Sequence, residues 1–172
     1  MACAIVSGYS LDCKSAVSGI SKIYITELSN VTAITENASG FVTGITKAAG
    51  KKFFTFELLS RGANNFTQTI QADAANGTVA YEQSIVTNFV QLKYETQAVL
   101  DLLIKNRLSI IVESKDGKYW LFGKLNGMEV TAGSGNSGQA MNDFTGYQLT
   151  FTGMEKAFAN EVSSSIIAGL LS

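Results

Sequence analysis

Histidine and proline are both absent from this 172-residue chain, and cysteine occurs only twice. Without histidine, the side chain that exchanges protons most readily near neutral pH is missing. So are the usual base of nucleophilic catalysis and the commonest zinc ligand. The lack of proline suits a backbone committed to sheet pairing, because proline removes a donor from a ladder. Cys3 and Cys13 lie close together near the start and are too few for a disulfide framework. No sign of charge dominates either: 13 basic residues face 14 acidic ones. Proteins that grip nucleic acid carry clustered Lys and Arg, so a tight polyanion binder is not expected. A surface past which nucleic acid slides without sticking stays open. No apolar run is long enough to span a membrane, and the one at 1–6 is short for a secretory signal. The expectation is a protein made in a cytoplasm and not bound to a membrane.

What is present is a chain 46% hydrophobic, ample for one core. From Ile20 onward it reads as short strands separated by turn residues. Ile23, Ile25 and the stretch 31–35 alternate apolar with polar, as half-buried strands do. In 52–59, Phe54, Phe56 and Leu58 share one face. In 66–72, Thr67, Thr69 and Gln71 form a wholly polar face opposite Phe66 and Ile70, the mark of a sheet with one wet side. The stretch 79–92 is a long strand candidate. Between 95 and 106 the period changes, and Ala98, Val99, Leu102 and Leu103 recur at helical spacing. The pairs Asp116-Gly117 and Asn126-Gly127 mark tight hairpin turns. A glycine-rich loop is expected over 133–138, and 146–153 is the last clear strand. Beyond it, Phe158, Val162, Ile166 and Leu170 repeat every fourth residue. That stripe costs roughly 25 cal/mol per Å² if left in water. It either folds back on the chain's own core or buries against a neighbouring subunit. The organisation expected is an N-terminal arm (1–20), a β-rich assembly domain (20–155) and an apolar C-terminal tail (156–172). The fold class is mainly β (α+β), an antiparallel sandwich or barrel with one flanking helix.

Motifs that suggest chemistry lack their context. Gly133, Gly135 and Gly138 match the spacing of a dinucleotide-binding turn, but no helical face follows to meet a pyrophosphate. The stretch 44–50 before Lys51 and Lys52 departs from a phosphate-binding loop in length and in the residue after the lysine. The acids Asp73, Asp101, Asp116, Asp143 and Glu155 are scattered, unlike the paired carboxylates of hydrolases. No catalytic residue, cofactor or metal is expected, and the chain is not read as an enzyme.

From Tyr94 onward several motifs are distinctive. They are Asn106-Arg107-Leu108, the hairpin Asp116-Gly117-Lys118-Tyr119-Trp120-Leu121, the turn Asn126-Gly127, and the ending that starts Gly146-Tyr147-Gln148-Leu149 and reaches Glu155. With the opening Met1-Ala2-Cys3, Gly8-Tyr9 and Leu11-Asp12-Cys13, they resemble virion structural proteins of crAss-like bacteriophages of gut Bacteroides and of related prophages. The resemblance covers most of the chain and thins after Val162. It implies a ring subunit of the tail or neck, similar in architecture to tail-tube proteins. Copies would join edge to edge around a channel, beside adjacent tail, neck or portal-associated proteins and in transient contact with passing DNA. In that setting Phe158, Val162, Ile166 and Leu170 are expected at a subunit interface, and Thr67, Thr69 and Gln71 facing the channel. A competing reading is a capsid decoration protein or a carbohydrate-binding adhesin module using the loop 133–138 with Tyr147 or Trp120.

Overall fold

Runs that are apolar at nearly every position make strands buried on both faces, and alternating runs make strands with one wet face. The first kind is β7 (Leu108–Ser114), flanked by β1 (Ile20–Glu27). Both lie in the interior of a seven-stranded sheet. Its order is β2 (Val31–Glu36), β3 (Val42–Lys47), β11 (Asn160–Val162), β8 (Tyr119–Phe122), β7, β1, β4 (Phe54–Glu57). The second kind builds a four-stranded sheet in the order β5 (Asn65–Asp73), β6 (Thr78–Val90), β10 (Gly146–Glu155), β9 (Glu129–Asn136). The structure, a computed structural model, describes residues 8–9, 17–59 and 63–172. Cys3, Cys13 and most of the expected arm at 1–20 fall outside that range. Among the described residues 51% are strand and 15% helix, a mainly β fold with the two sheets forming a sandwich.

The sheets meet across one core. Ile23, Ile25, Ile110, Val112 and Phe122 come from the large sheet, and Ile85, Phe89, Leu149 and Phe151 from the small one. Helix α1 (Tyr94–Lys105) closes a flank of this core with Leu100 and Leu103. Spacing alone put Ala98, Val99, Leu102 and Leu103 on its buried side. The structure turns the helix so that Leu103 is buried while Ala98, Val99 and Leu102 are exposed.

A second core covers the far face of the large sheet. There Tyr24, Val42, Ile111 and Leu121 meet Phe53 and helix α2 (Ser164–Leu171), which contributes Ile167 and Leu170. Lys47 Nζ donates to the carbonyls of Gly169, Leu170 and Ser172 at 2.9, 3.1 and 2.9 Å, supplying a cation where the helix end is negative. The Phe53 N–H donates to the Leu170 carbonyl at 2.9 Å.

This docking corrects the picture of a tail that presents one apolar stripe to a neighbour. Residues 160–162 are a strand, antiparallel to β8 and parallel to β3, so 156–172 is woven into the domain. Val162 and Leu170 are each 3% exposed inside the chain's own second core, and Ile166 packs against it. The apolar surface of the tail is consumed at home, where it covers Val42, Phe53 and Leu121. Of the four residues only Phe158 keeps substantial exposure, 46%.

Candidate functional site

Strand register turns the polar trio of β5 into one margin of a larger surface. Thr67, Thr69 and Gln71 are exposed. Thr67 stands opposite Ser84 on β6, and Ser84 opposite Thr152 on β10. Thr152 Oγ1 donates in turn to Thr131 Oγ1 at 3.2 Å, near β9 residues Ala132 and Ser134. Further along, Asn88, Gln148 and Ser134 form a second row, buried at its Asn88 end, where Nδ2 donates to the Ala63 carbonyl at 3.1 Å. Among the described residues no strand or helix lies over Thr67, Ser84 and Thr152; α1 flanks the β9 side of the sheet and α2 packs on the second core. Hydroxyls and carboxamides dominate the face.

The four strands of this sheet contain no lysine or arginine. Their acids are Asp73, Glu82, Glu129 and Glu155. Glu155 is buried, and its Oε1 accepts the N–H groups of Leu125 and Asn126 at 2.9 and 2.8 Å. Glu82 accepts from Gln71 Nε2 at 2.5 Å, and Glu129 pairs with Arg107 at 2.8 Å. The face is therefore polar, has no cation on its own strands and keeps Asp73 and Glu82 as negative charges. It offers a polyanion no counter-charge to release ions against.

The edges of the two sheets are unlike. The large sheet ends on β2, whose register slips twice, and on β4, which is four residues long with Glu57 bridged to Lys22 at 3.3 Å. Slips, short length and charge are devices that discourage edge pairing. The small sheet ends on β5 and β9, nine and eight residues long, free of lysine and proline. β9 carries one register shift near Thr131 and is regular from Ala132 to Asn136.

Most of the glycine-rich stretch expected as a loop is this strand. A Cβ at Gly133 would lie 2.8 Å from Leu149 Cδ2, and one at Gly135 would lie 3.5 Å from the Tyr147 ring. At Gly133 the bare backbone lets β9 lie close over Leu149, whereas Gly135 has room for a Cβ; period-two reading cannot see this because glycine has no face. Regular pairing stops at Asn136. The following turn is held by Asp143, whose carboxylate accepts the N–H groups of Gln139 and Ala140 at 2.9 and 2.8 Å. Those bonds hold the Asp143 carboxyl below its ordinary range. Trp120 and Tyr147, proposed above as a sugar platform, are partly buried and packed against the first core. Among the described residues no group of three or more Cys, Asp or Glu comes together as a metal site, and no helix is long and apolar enough to cross a membrane.

No protein-family model, curated protein or solved structure matches this chain.

Proposed function

We propose that this chain is a structural subunit of a bacteriophage virion, and that copies of it form a ring of the tail or neck around a passage for DNA. The observation that carries the reading is a polar, cation-free sheet face bounded by two long edge strands that lack lysine and proline. The small sheet has four antiparallel strands, so its outer strands run in opposite directions. If β9 of one copy meets β5 of the next by simple rotation, the junction is again antiparallel. Repetition then closes a ring in which every inner edge is paired. Two-fold pairing of β5 with β5 would instead leave both β9 edges open. In the ring the polar face of Thr67, Thr69 and Gln71 lines the opening, with the bulk of the large sheet outside. Adjacent tail, neck or portal-associated proteins would meet its rims. A decoration or adhesin module has less support, because Trp120 is core-packed and the glycine-rich stretch is mostly strand.

The test is light scattering of purified protein with negative-stain imaging of the same sample. Closed rings or stacked rings with a central opening are the expected result. A protein that stays monomeric over a wide concentration range would overturn the self-assembling ring.

A further inference from the structure

The two ends of the sandwich carry complementary apolar surfaces. At one end β5 and β6 outrun the small sheet: β10 pairs with β6 only as far as Tyr81, opposite Ile70, leaving 71–80 as a free two-stranded ribbon. The ribbon is amphipathic. Register places Thr69, Gln71 and Glu82 on one face and Ile70, Ala72, Val79 and Tyr81 on the other. On that second face Ile70 is 52% and Val79 58% exposed. Phe158, edge-on to Tyr81 at 4.7 Å between ring centroids, extends the strip. The turn at the tip is fixed by Asp73, which accepts the N–H groups of Ala75 and Asn76 at 2.9 and 3.2 Å. Those bonds keep the Asp73 carboxyl below its ordinary range, and so ionised.

At the other end lies the side of α1 that spacing assigned to the core and the fold left open. Val99 and Leu102 look across a groove of about 450 Å³ toward Phe54 and Phe56 of β4. Leu102 is 61% and Phe54 58% exposed. The groove sits at the far end of β6, since Phe56 stacks edge-on against Phe89 at 5.9 Å. About ten residues of β6 separate Val79 from Phe89, or roughly 33 Å of strand. Within one chain the ribbon and the groove cannot reach one another. Being unlike surfaces at opposite ends, they fit a head-to-tail contact and not a two-fold one. Lys52 Nζ lies 5.8 Å from the Phe54 ring centroid, a cation beside the groove for the Asp73 tip, although Glu27 also lines it.

We infer that the ribbon of one copy seats in the α1–β4 groove of the next copy along the strand axis, so that copies stack head to tail. The inference rests on the ring reading for its setting, because rings with ribbons on one rim and grooves on the other would stack into a tube. The contact itself needs no ring.

The experiment mixes chains carrying Val79→Cys with chains carrying Leu102→Cys, both in a Cys3→Ser, Cys13→Ser background, and adds a short bis-maleimide. Circular dichroism melts confirm that each variant is folded. A cross-linked dimer of chains abundant in the mixture and scarce in either chain alone is expected. Ile70→Asp at the base of the ribbon, or Leu102→Asp in the groove, is expected to reduce stacks to single rings in negative stain. Cross-linking of Val79→Cys chains with each other as strongly as in the mixture would overturn the inference. So would stacks that persist in both Asp variants, leaving the ring intact. Single-file filaments that cross-link only in the mixture would uphold the contact and overturn the ring.

Discussion

Gly146 occupies a backbone position at φ +154, and a Cβ built there would fall 2.0 Å from the Phe89 carbonyl oxygen. Gly146→Ala must move the start of β10 away from β6, and overpacking of this kind costs about 1–3 kcal/mol. A lower urea midpoint with an unchanged slope is the expected result. Tyr24 makes a different prediction. Its hydroxyl donates to Glu113 Oε2 at 2.5 Å, and burial first, then that bond and the Glu113 charge, push its pKa well above the ordinary 10.0. The unfolded chain therefore releases this proton before the folded one does. Stability should fall as pH rises past about 10, where the unfolded state begins to ionise. Thermal melts across that range should show a shallower alkaline decline for Tyr24→Phe than for the unaltered protein. Neither position announces itself in the sequence. A required glycine and a buried tyrosine depend on which strand comes to lie beside them.

Among the elements, the turn between β8 and β9 depends on a carboxylate from elsewhere. Glu155 satisfies both Leu125 and Asn126 N–H groups, so Glu155→Ala leaves two donors without that acceptor, at about 1–3 kcal/mol for each one that stays dry. Hydrogen exchange at 123–127 should speed up in that variant. Helix α2 covers the second core. Leu170→Ala should cost about 2–5 kcal/mol, read from chemical denaturation, and removal of 164–172 should abolish cooperative unfolding as well as assembly. Much at this scale was legible. The hairpin turning at Asp116-Gly117, the wet face of β5, the strand at 146–153 and a helix near 95–106 all follow from local pattern and turn chemistry. The tail was misread for a physical reason: residues four apart share a face in a strand as well as in a helix. Phe158, Val162, Ile166 and Leu170 therefore look like one stripe although the chain changes from β11 to α2 between them. The rotation of α1 was also hidden, because Leu100 and Leu102 are equally apolar and only the sheet beneath decides between them.

For the molecule as a whole, the property that bears on the proposed function is the lack of cations on one broad surface. It should give no salt-sensitive retention of duplex DNA in fluorescence anisotropy. Thr69→Lys together with Thr152→Lys would put cations on that face. Binding should then appear, with a slope of log affinity against log salt steeper by about 0.9 for each phosphate engaged. Equal behaviour of the two proteins would argue against the face as a lining for nucleic acid. The candidate site was legible only in its first three residues, Thr67, Thr69 and Gln71. The rest of the face is assembled by register from β6, β9 and β10, and nothing local links Thr67 to Thr152.

The placement of β11 also sets an order of events. Residues 160–162 are made after every other strand, yet they lie in the interior of the large sheet, between β3 and β8. Until they emerge, that sheet exists as two fragments with raw inner margins, and the second core has no α2 to close it. A chain still on the ribosome is thus held short of the native state by its own wiring. The native sandwich can close only once synthesis has passed these residues. The cost is a slow, long-range closing step that exposes sticky margins while it lasts.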